Sequence, residues 1–319
     1  MSSRTSFAWL LATTVLAAAC GGGGSDGSTD APPGGTPDAD TSTGELNPPP
    51  PPGGQQLATD EYTLQDGEEK YLCYTFDSPD AAKAITKIET IASQSVHHIL
   101  FVKTMNREAG TGFECDTLIS LNWNPIYAVG AGAPDLALPD GVGFRIESGS
   151  QYLIQLHLQN LTDGPVTERA GLNLTYAEDT DATIRAGLYA MGSFDLEIPG
   201  RAVDYSQTIA CNAEFPMNVF AIFPHMHKLG TKINLRHGAN EGAATPMYAK
   251  DPWVFGDQPM DPADVTINTG DFVESTCHWA NPDSDDPVRF GESSDAEMCF
   301  TLLFYYPATQ DLAGCVTGI

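Results

Sequence analysis

From Ala58 onward, short apolar-rich runs alternate with clusters of Gly, Pro, Asp and Asn. The runs Tyr71–Phe76, His98–Lys103, Tyr152–Leu158, Gly171–Tyr176, Val219–Phe223, Val265–Asn268 and Phe300–Tyr306 recur in β-branched and aromatic residues, and several alternate apolar with polar positions. Short strands separated by turn residues predict an all-β sandwich or barrel. Long helical periodicity is scarce. The best helical candidate is Pro79–Ile91, whose spacing is ambiguous between helix and strand.

The first 57 residues read differently. Residues 1–19 carry one Arg and an apolar run from Phe7 to Ala19, too short to span a bilayer, and so predict an export signal. The ending Leu16-Ala17-Ala18-Ala19-Cys20 resembles a bacterial lipobox, which makes Cys20 the candidate lipidated N-terminus of a membrane-anchored lipoprotein in the periplasm or at the cell surface. An ordinary signal peptide cleaved after Ala17-Ala18-Ala19 is the alternative. Residues 20–57 hold ten Gly and eight Pro among 38 residues and no aromatic. Such a segment cannot bury enough surface to offset its chain entropy and predicts a disordered tether.

Composition narrows the partners. With 42 acidic and 15 basic side chains the net charge is −27. That argues against nucleic acid or an anionic membrane surface, both of which need basic patches; membrane contact is expected only through the N-terminal lipid. At 41% hydrophobic residues over 319, the chain has material for two cores. A polar acidic stretch near residues 177–185 suggests a division into 58–180 and 181–319. Beyond Cys20 there are six cysteines, an even count that favours disulfides in an exported protein. The division leaves Cys73 and Cys115 to pair with each other, and allows three pairings among Cys211, Cys277, Cys299 and Cys315.

Five of the seven His fall in three clusters, His97-His98, Gln155-Leu156-His157 and His225-Met226-His227. In a strand, residues i and i+2 face the same side, so His225 and His227 form a ready chelate with Met226 pointing away. Adjacent His97 and His98 face opposite sides of a regular strand and share a metal only at a bend or bulge. Imidazole suits several transition metals, whereas a thioether selects soft Cu(I), so a Met beside the His-x-His pair points to copper. Met298 is the candidate.

In order and spacing these motifs resemble the copper type II, ascorbate-dependent monooxygenases, the family of peptidylglycine α-hydroxylating and dopamine β-monooxygenases. The likeness runs from about Tyr62 to Cys315 and includes Tyr71-Leu72-Cys73, Val96-His97-His98, Leu138–Arg145, Gln155-Leu156-His157, His225–Gly230, Asp264-Val265-Thr266 and Ser293–Cys299. The resemblance implies two antiparallel, jelly-roll-like β-sandwich domains facing across a solvent-filled cleft. It implies a first copper on His97, His98 and His157, and a second, O2-activating copper on His225, His227 and Met298. It also implies the disulfides Cys73–Cys115, Cys211–Cys315 and Cys277–Cys299. His237 and His278 match no ligand position.

The activity so implied is hydroxylation of a C–H bond of a small-molecule or peptide-like substrate by O2, with ascorbate or a similar reductant supplying two electrons. The site departs from the peptidylglycine enzymes in three places. Phe223 stands where they carry an Arg two residues before the His-x-His motif, and Phe300 and Leu302 stand where an Asn and a Tyr follow the ligand Met. These three residues predict an apolar substrate pocket and argue against a peptide C-terminal glycine as substrate. Two other readings are a non-catalytic exported copper carrier or buffer that keeps both sites, and a metal-free β-sandwich binding module.

Overall fold

The computed structural model describes residues 46–115, 120–130 and 132–318. The leader, Cys20 and the tether up to residue 45 lie outside the described residues. Among those described, no helix is long and apolar enough to cross a membrane, and the helical content is a single 3-10 turn, Glu241–Ala243. The all-β expectation holds.

Two pairs of larger sheets make up the body. Strands from Gln55 to Arg185 build the first pair. One sheet runs in the order Gln55–Ala58, Gly171–Glu178, Lys83–Ile91, Val142–Ile146 and Ile184–Arg185. The other runs Phe113–Glu114, Glu69–Asp77, Gln151–Gln159, Val96–Thr104 and Trp123–Gly130. Strands from Gly187 onward build the second pair. One of its sheets is ordered Asp261–Ile267, Met217–His225, Phe300–Tyr306, Gly187–Ser193 and Leu312–Thr317. The other is ordered Ala202–Asn212, Phe272–Asn281, Gly230–Gly238 and Thr245–Lys250. Pairing is antiparallel except where Gly187–Ser193 meets Leu312–Thr317 and where Ile184–Arg185 meets Val142 and Gly143.

Two strands of the second sheet of the first half are buried on both faces, which explains their near-continuous apolar sequence. In Val96–Thr104, Ile99 and Phe101 enter the core between the first two sheets, while Leu100 and Val102 pack against the Cys73–Cys115 disulfide on the opposite face. That first core also takes in Leu188, Ala221, Phe223, Met260 and Phe304 from the second half. A second core centres on Trp279, Tyr305, Leu303 and Met226. Each fully buried large side chain of this kind contributes about 1.5–3 kcal/mol, so the apolar continuity between the halves is a strong cohesive term. The structure contains the three disulfides that the resemblance implied.

The helical candidate Pro79–Ile91 is a correction: Lys83–Ile91 is a strand. Its pairing with Gly171–Glu178 skips Thr86, a β-bulge. One extra residue reverses the in/out alternation, so Ile85 and Ile88, three apart, both enter the core. That spacing imitated a helix.

Candidate functional site

Two further bulges build the site. On Val96–Thr104, His98 pairs with His157 and Val96 with Leu158, leaving His97 as the extra residue. Val96 and Ile99 therefore both enter the core, and the two adjacent imidazoles project to one side. His157 comes from the neighbouring strand in direct register with His98. The ring centroids lie 5.7 Å apart for His97–His98, 5.0 Å for His97–His157 and 4.7 Å for His98–His157. One nitrogen from each of the three falls within 4.8 Å of the others, a spacing that can hold a metal ion.

The second bulge is Phe220, the extra residue of Met217–His225 against Phe300–Tyr306. Before it, Met217 and Val219 face the second core; after it, Ala221 and Phe223 face the first. His225, two residues further at the end of the strand, follows that side. His227 lies just past the strand, with its ring 5.1 Å from that of His225, while Met226 is buried in the second core. The two rings lie side by side, although His227 sits beyond the end of the strand.

Hydrogen bonds fix which ring nitrogens stay free. His157 Nε2 donates to the Glu69 carboxylate at 2.6 Å, which leaves Nδ1 unprotonated to accept from His98 Nδ1 at 3.2 Å. His225 Nδ1 donates to the amide oxygen of Gln258 at 2.7 Å, and His227 Nδ1 donates to the Ala296 carbonyl at 3.0 Å. Both therefore present a bare Nε2. The two ring nitrogens of His97 and Nε2 of His98 are buried without a hydrogen-bond partner. Orphaned buried nitrogens of this kind call for a ligand. Burial, reinforced by the neighbouring imidazoles, drives His97 and His225 down to about 3 and His227 to about 4, and holds His98 far below its usual value. All are neutral at physiological pH, the form in which imidazole binds metals.

Met298 is buried in the segment that closes over this pair. The preceding Glu297, fully buried, ties the segment down: its carboxylate accepts from His227 N at 3.0 Å, Leu229 N at 2.6 Å, Trp279 Nε1 at 3.0 Å and Met298 N at 3.3 Å. Glu69 reaches from the first half to the same segment, accepting from Ser294 N and Oγ at 3.3 and 3.2 Å. Tyr71 stacks on His157 at 4.3 Å and donates to the Glu292 carbonyl at 2.7 Å. His278 faces Asp204 on the four-stranded sheet of the second half, and His237 lies on the adjacent strand of that sheet, separate from the five clustered His.

Sequence reasoning missed Glu69, Gln258 and Glu297. Glu297 sat inside a quoted motif without a role, and neither spacing nor composition marks the other two. The structure does not confirm the expected solvent-filled cleft between the sets. The His98 ring lies 5.8 Å from that of His225, and apolar packing such as Tyr127 and Phe144 against Phe304 draws the halves together. Phe223, Phe300 and Leu302 line one cavity together with His98 and His225.

An all-β body on which buried neutral imidazoles converge in two adjacent sets defines a β-sandwich protein equipped to bind metal. Residues 184–319 match the C-terminal domain of copper type II ascorbate-dependent monooxygenases. The chain is 29% identical over 248 residues to peptidylglycine alpha-amidating monooxygenase of Rattus norvegicus, covering 74% of this chain and 25% of that protein. It is 26% identical over 287 residues to DBH-like monooxygenase protein 1 of Homo sapiens, covering 79% of this chain and 46% of that one. Among solved structures, allantoicase matches with a TM-score of 0.22 and 11% identity over 76% of this chain and 78% of that chain. Residues 184–319 carry a copper type II ascorbate-dependent monooxygenase C-terminal domain, and most of the chain is similar to monooxygenases of that kind. It spans between a quarter and a half of the length of these two curated relatives.

Proposed function

We propose that this protein is an exported monooxygenase that binds copper at both sets and hydroxylates a C–H bond of a substrate other than a peptide C-terminal glycine. In this reading His97, His98 and His157 hold one copper within a first domain, residues 58–180, and His225, His227 and Met298 hold the other within a second, residues 181–319. The observation that carries it is the convergence of buried neutral imidazoles, with orphaned ring nitrogens on His97 and His98, while the segment bearing the buried Met298 is tied to His227, a donor set suited to copper. Three disulfides fit the oxidising compartment of an exported protein. Anchoring through Cys20 completes the proposal.

The overall reaction is R–H + O2 + 2 electrons + 2 protons giving R–OH and water, with ascorbate or an equivalent one-electron donor as reductant. Bound copper supplies the one-electron redox steps that O2 reduction requires. The chain supplies orientation and exclusion of water. Glu69, Gln258 and the Ala296 carbonyl fix three imidazoles by their outer nitrogens, the arrangement that raises ligand basicity and locks ring direction. Glu297 holds the His227 and Met298 segments together, and the apolar cavity keeps the reacting carbon away from bulk water.

The test is ascorbate-driven O2 uptake by copper-loaded protein over a panel of substrate classes, with His225→Ala and Met298→Ala as controls. Substrate-dependent uptake that both substitutions abolish is expected. Copper retained at both sets with no uptake on any substrate would identify a carrier instead, and full activity in either variant would refute the ligand assignment.

A further inference from the structure

The cavity beside the two His sets has a volume of about 390 Å³, within the size range of small-molecule pockets. It opens between the sheet carrying Leu100 and Trp123 and the sheet carrying Phe223, Phe300 and Leu302, with Phe194 just past the end of the strand Gly187–Ser193. Among the described residues, no Asp, Glu, Lys or Arg lines it; its polar side chains are His98, His225, Ser120 and the indole of Trp123. His98 and His225 are the imidazoles already committed to the two sets. A carboxylate, phosphate or ammonium entering this space would lose its hydration and find no counter-charge, which costs several kcal/mol. The net charge of −27 repels anions further. Nearby charges are already matched: Asp311, beside the lining residue Leu312, pairs with Lys103 and Arg185.

The wall is also preformed and aromatic. A Cβ on Gly192 would lie 2.1 Å from the Phe300 ring, so the ring rests on the bare backbone of the neighbouring strand. Phe194 meets Phe300 edge to face at 5.5 Å, and Phe290 backs Phe194 at 4.9 Å. Three rings braced in this way present a fixed surface on which a flat ring can pack. Leu121, 93% exposed, also contributes to the lining and brings apolar surface to the cavity rim.

We propose that the substrate is an uncharged alkyl-aromatic molecule of one or two rings, held against the Phe223–Phe300–Leu302 wall with a C–H bond at the His225 end of the cavity. This inference rests on the function proposed above for its chemistry, while the binding preference itself does not require copper. With no fixed counter-charge among the described lining residues, the pocket selects by shape and apolarity and rejects either sign of charge.

The experiment titrates copper-free full-length protein by calorimetry with three matched probes: propylbenzene, 4-phenylbutyrate and 3-phenylpropylamine. Propylbenzene is expected to bind at least tenfold more tightly than either ion. Phe223→Arg is expected to weaken propylbenzene at least tenfold and to favour phenylbutyrate. Leu302→Arg, at a half-buried position less able to disturb folding, should move both affinities in the same directions. Equal or tighter binding of either ion, or propylbenzene binding unaffected by both substitutions in folded protein, would overturn the inference. Copper-loaded protein that consumes O2 with another substrate while its copper-free form ignores propylbenzene sinks this inference and spares the monooxygenase. Propylbenzene bound without turnover of any substrate does the reverse.

Discussion

Glu69 shows how one carboxylate serves two parts of the site. Its Oε1 accepts from His157 Nε2, and the same group accepts from Ser294 beside the Met298 segment. Burial by itself would raise its pKa, yet the hydrogen bonds from His157 and Ser294 outweigh burial and hold it below the ordinary carboxylate value. The charged form therefore orients His157 Nδ1 inward at neutral pH. Removing an outer partner of a metal-binding imidazole lowers affinity by about 10–100-fold. Glu69→Gln is expected to weaken copper at the three-His set by about tenfold or more and to affect the His225/His227 set less, because Gln258 and the Ala296 carbonyl orient those rings while Glu69 reaches that set only through Ser294. Chelator competition read separately at each site checks this. Equal losses at both sites, or none at either, would contradict the assignment.

At the scale of the strand, single extra residues decide which side chains face the site. Bulges at Thr86, His97 and Phe220 each reverse the alternation of a strand. The result is a helix-like Ile85/Ile88 spacing, two adjacent imidazoles on one side, and Phe223 turned toward the cavity rather than the second core. Deleting Phe220 is expected to restore regular alternation, turning Phe223 and His225 away and abolishing copper binding at the second set while the first keeps its metal. Phe220→Ala preserves the residue count and should preserve both sites, at the cost of the Phe220 packing on Phe304 and Tyr306. Copper stoichiometry of the two variants separates the possibilities; a deletion variant with both sites intact would disprove the register argument. The sequence showed the His-x-His chelate and raised a bulge as the condition for His97 and His98 to cooperate. Neither hydropathy nor spacing reveals where a bulge falls, because the partner strand sets it.

Across the whole molecule, the halves are joined by shared apolar core and by a compact charge cluster. Asp311 in the second half accepts from Lys103 and Asn124 of the first, and from Arg185 just before the second pair of sheets begins. Burial opposes its ionisation, but the Arg185 hydrogen bond and the Lys103 charge overcome that and depress its pKa. A depressed carboxylate contributes stability above its unfolded pKa of about 3.9, and loses it as pH falls through the lower folded value. Asp311→Asn is expected to cost about 1–3 kcal/mol at pH 7 by stranding partly buried cationic donors. The gap from wild type should begin to narrow below about pH 4 and close as the native carboxyl protonates at its lower folded value. Denaturant midpoints between pH 7 and pH 3 check both statements; a gap independent of pH would rule out the ionic origin.

The sequence by itself determined the strand class, through its short β-branched and aromatic runs, and the chemistry at hand, through five clustered His and a Met in family order. Those are properties of residue type and spacing, which the chain carries without folding. Phe223, Phe300 and Leu302 likewise marked an apolar cavity before their positions were known. Only the tertiary structure decided the rest: the bulges that aim His97, His98 and His225, the approach of the two His sets, and the carboxylate, amide and backbone carbonyl that orient their rings. Glu69 and Ser294 lie 225 positions apart along the chain, and Gln258 lies 33 from His225. Such contacts exist only once strand pairing and apolar burial bring distant segments together. Glu297, adjacent to Met298 in sequence, became legible only when burial forced its carboxylate to find four donors.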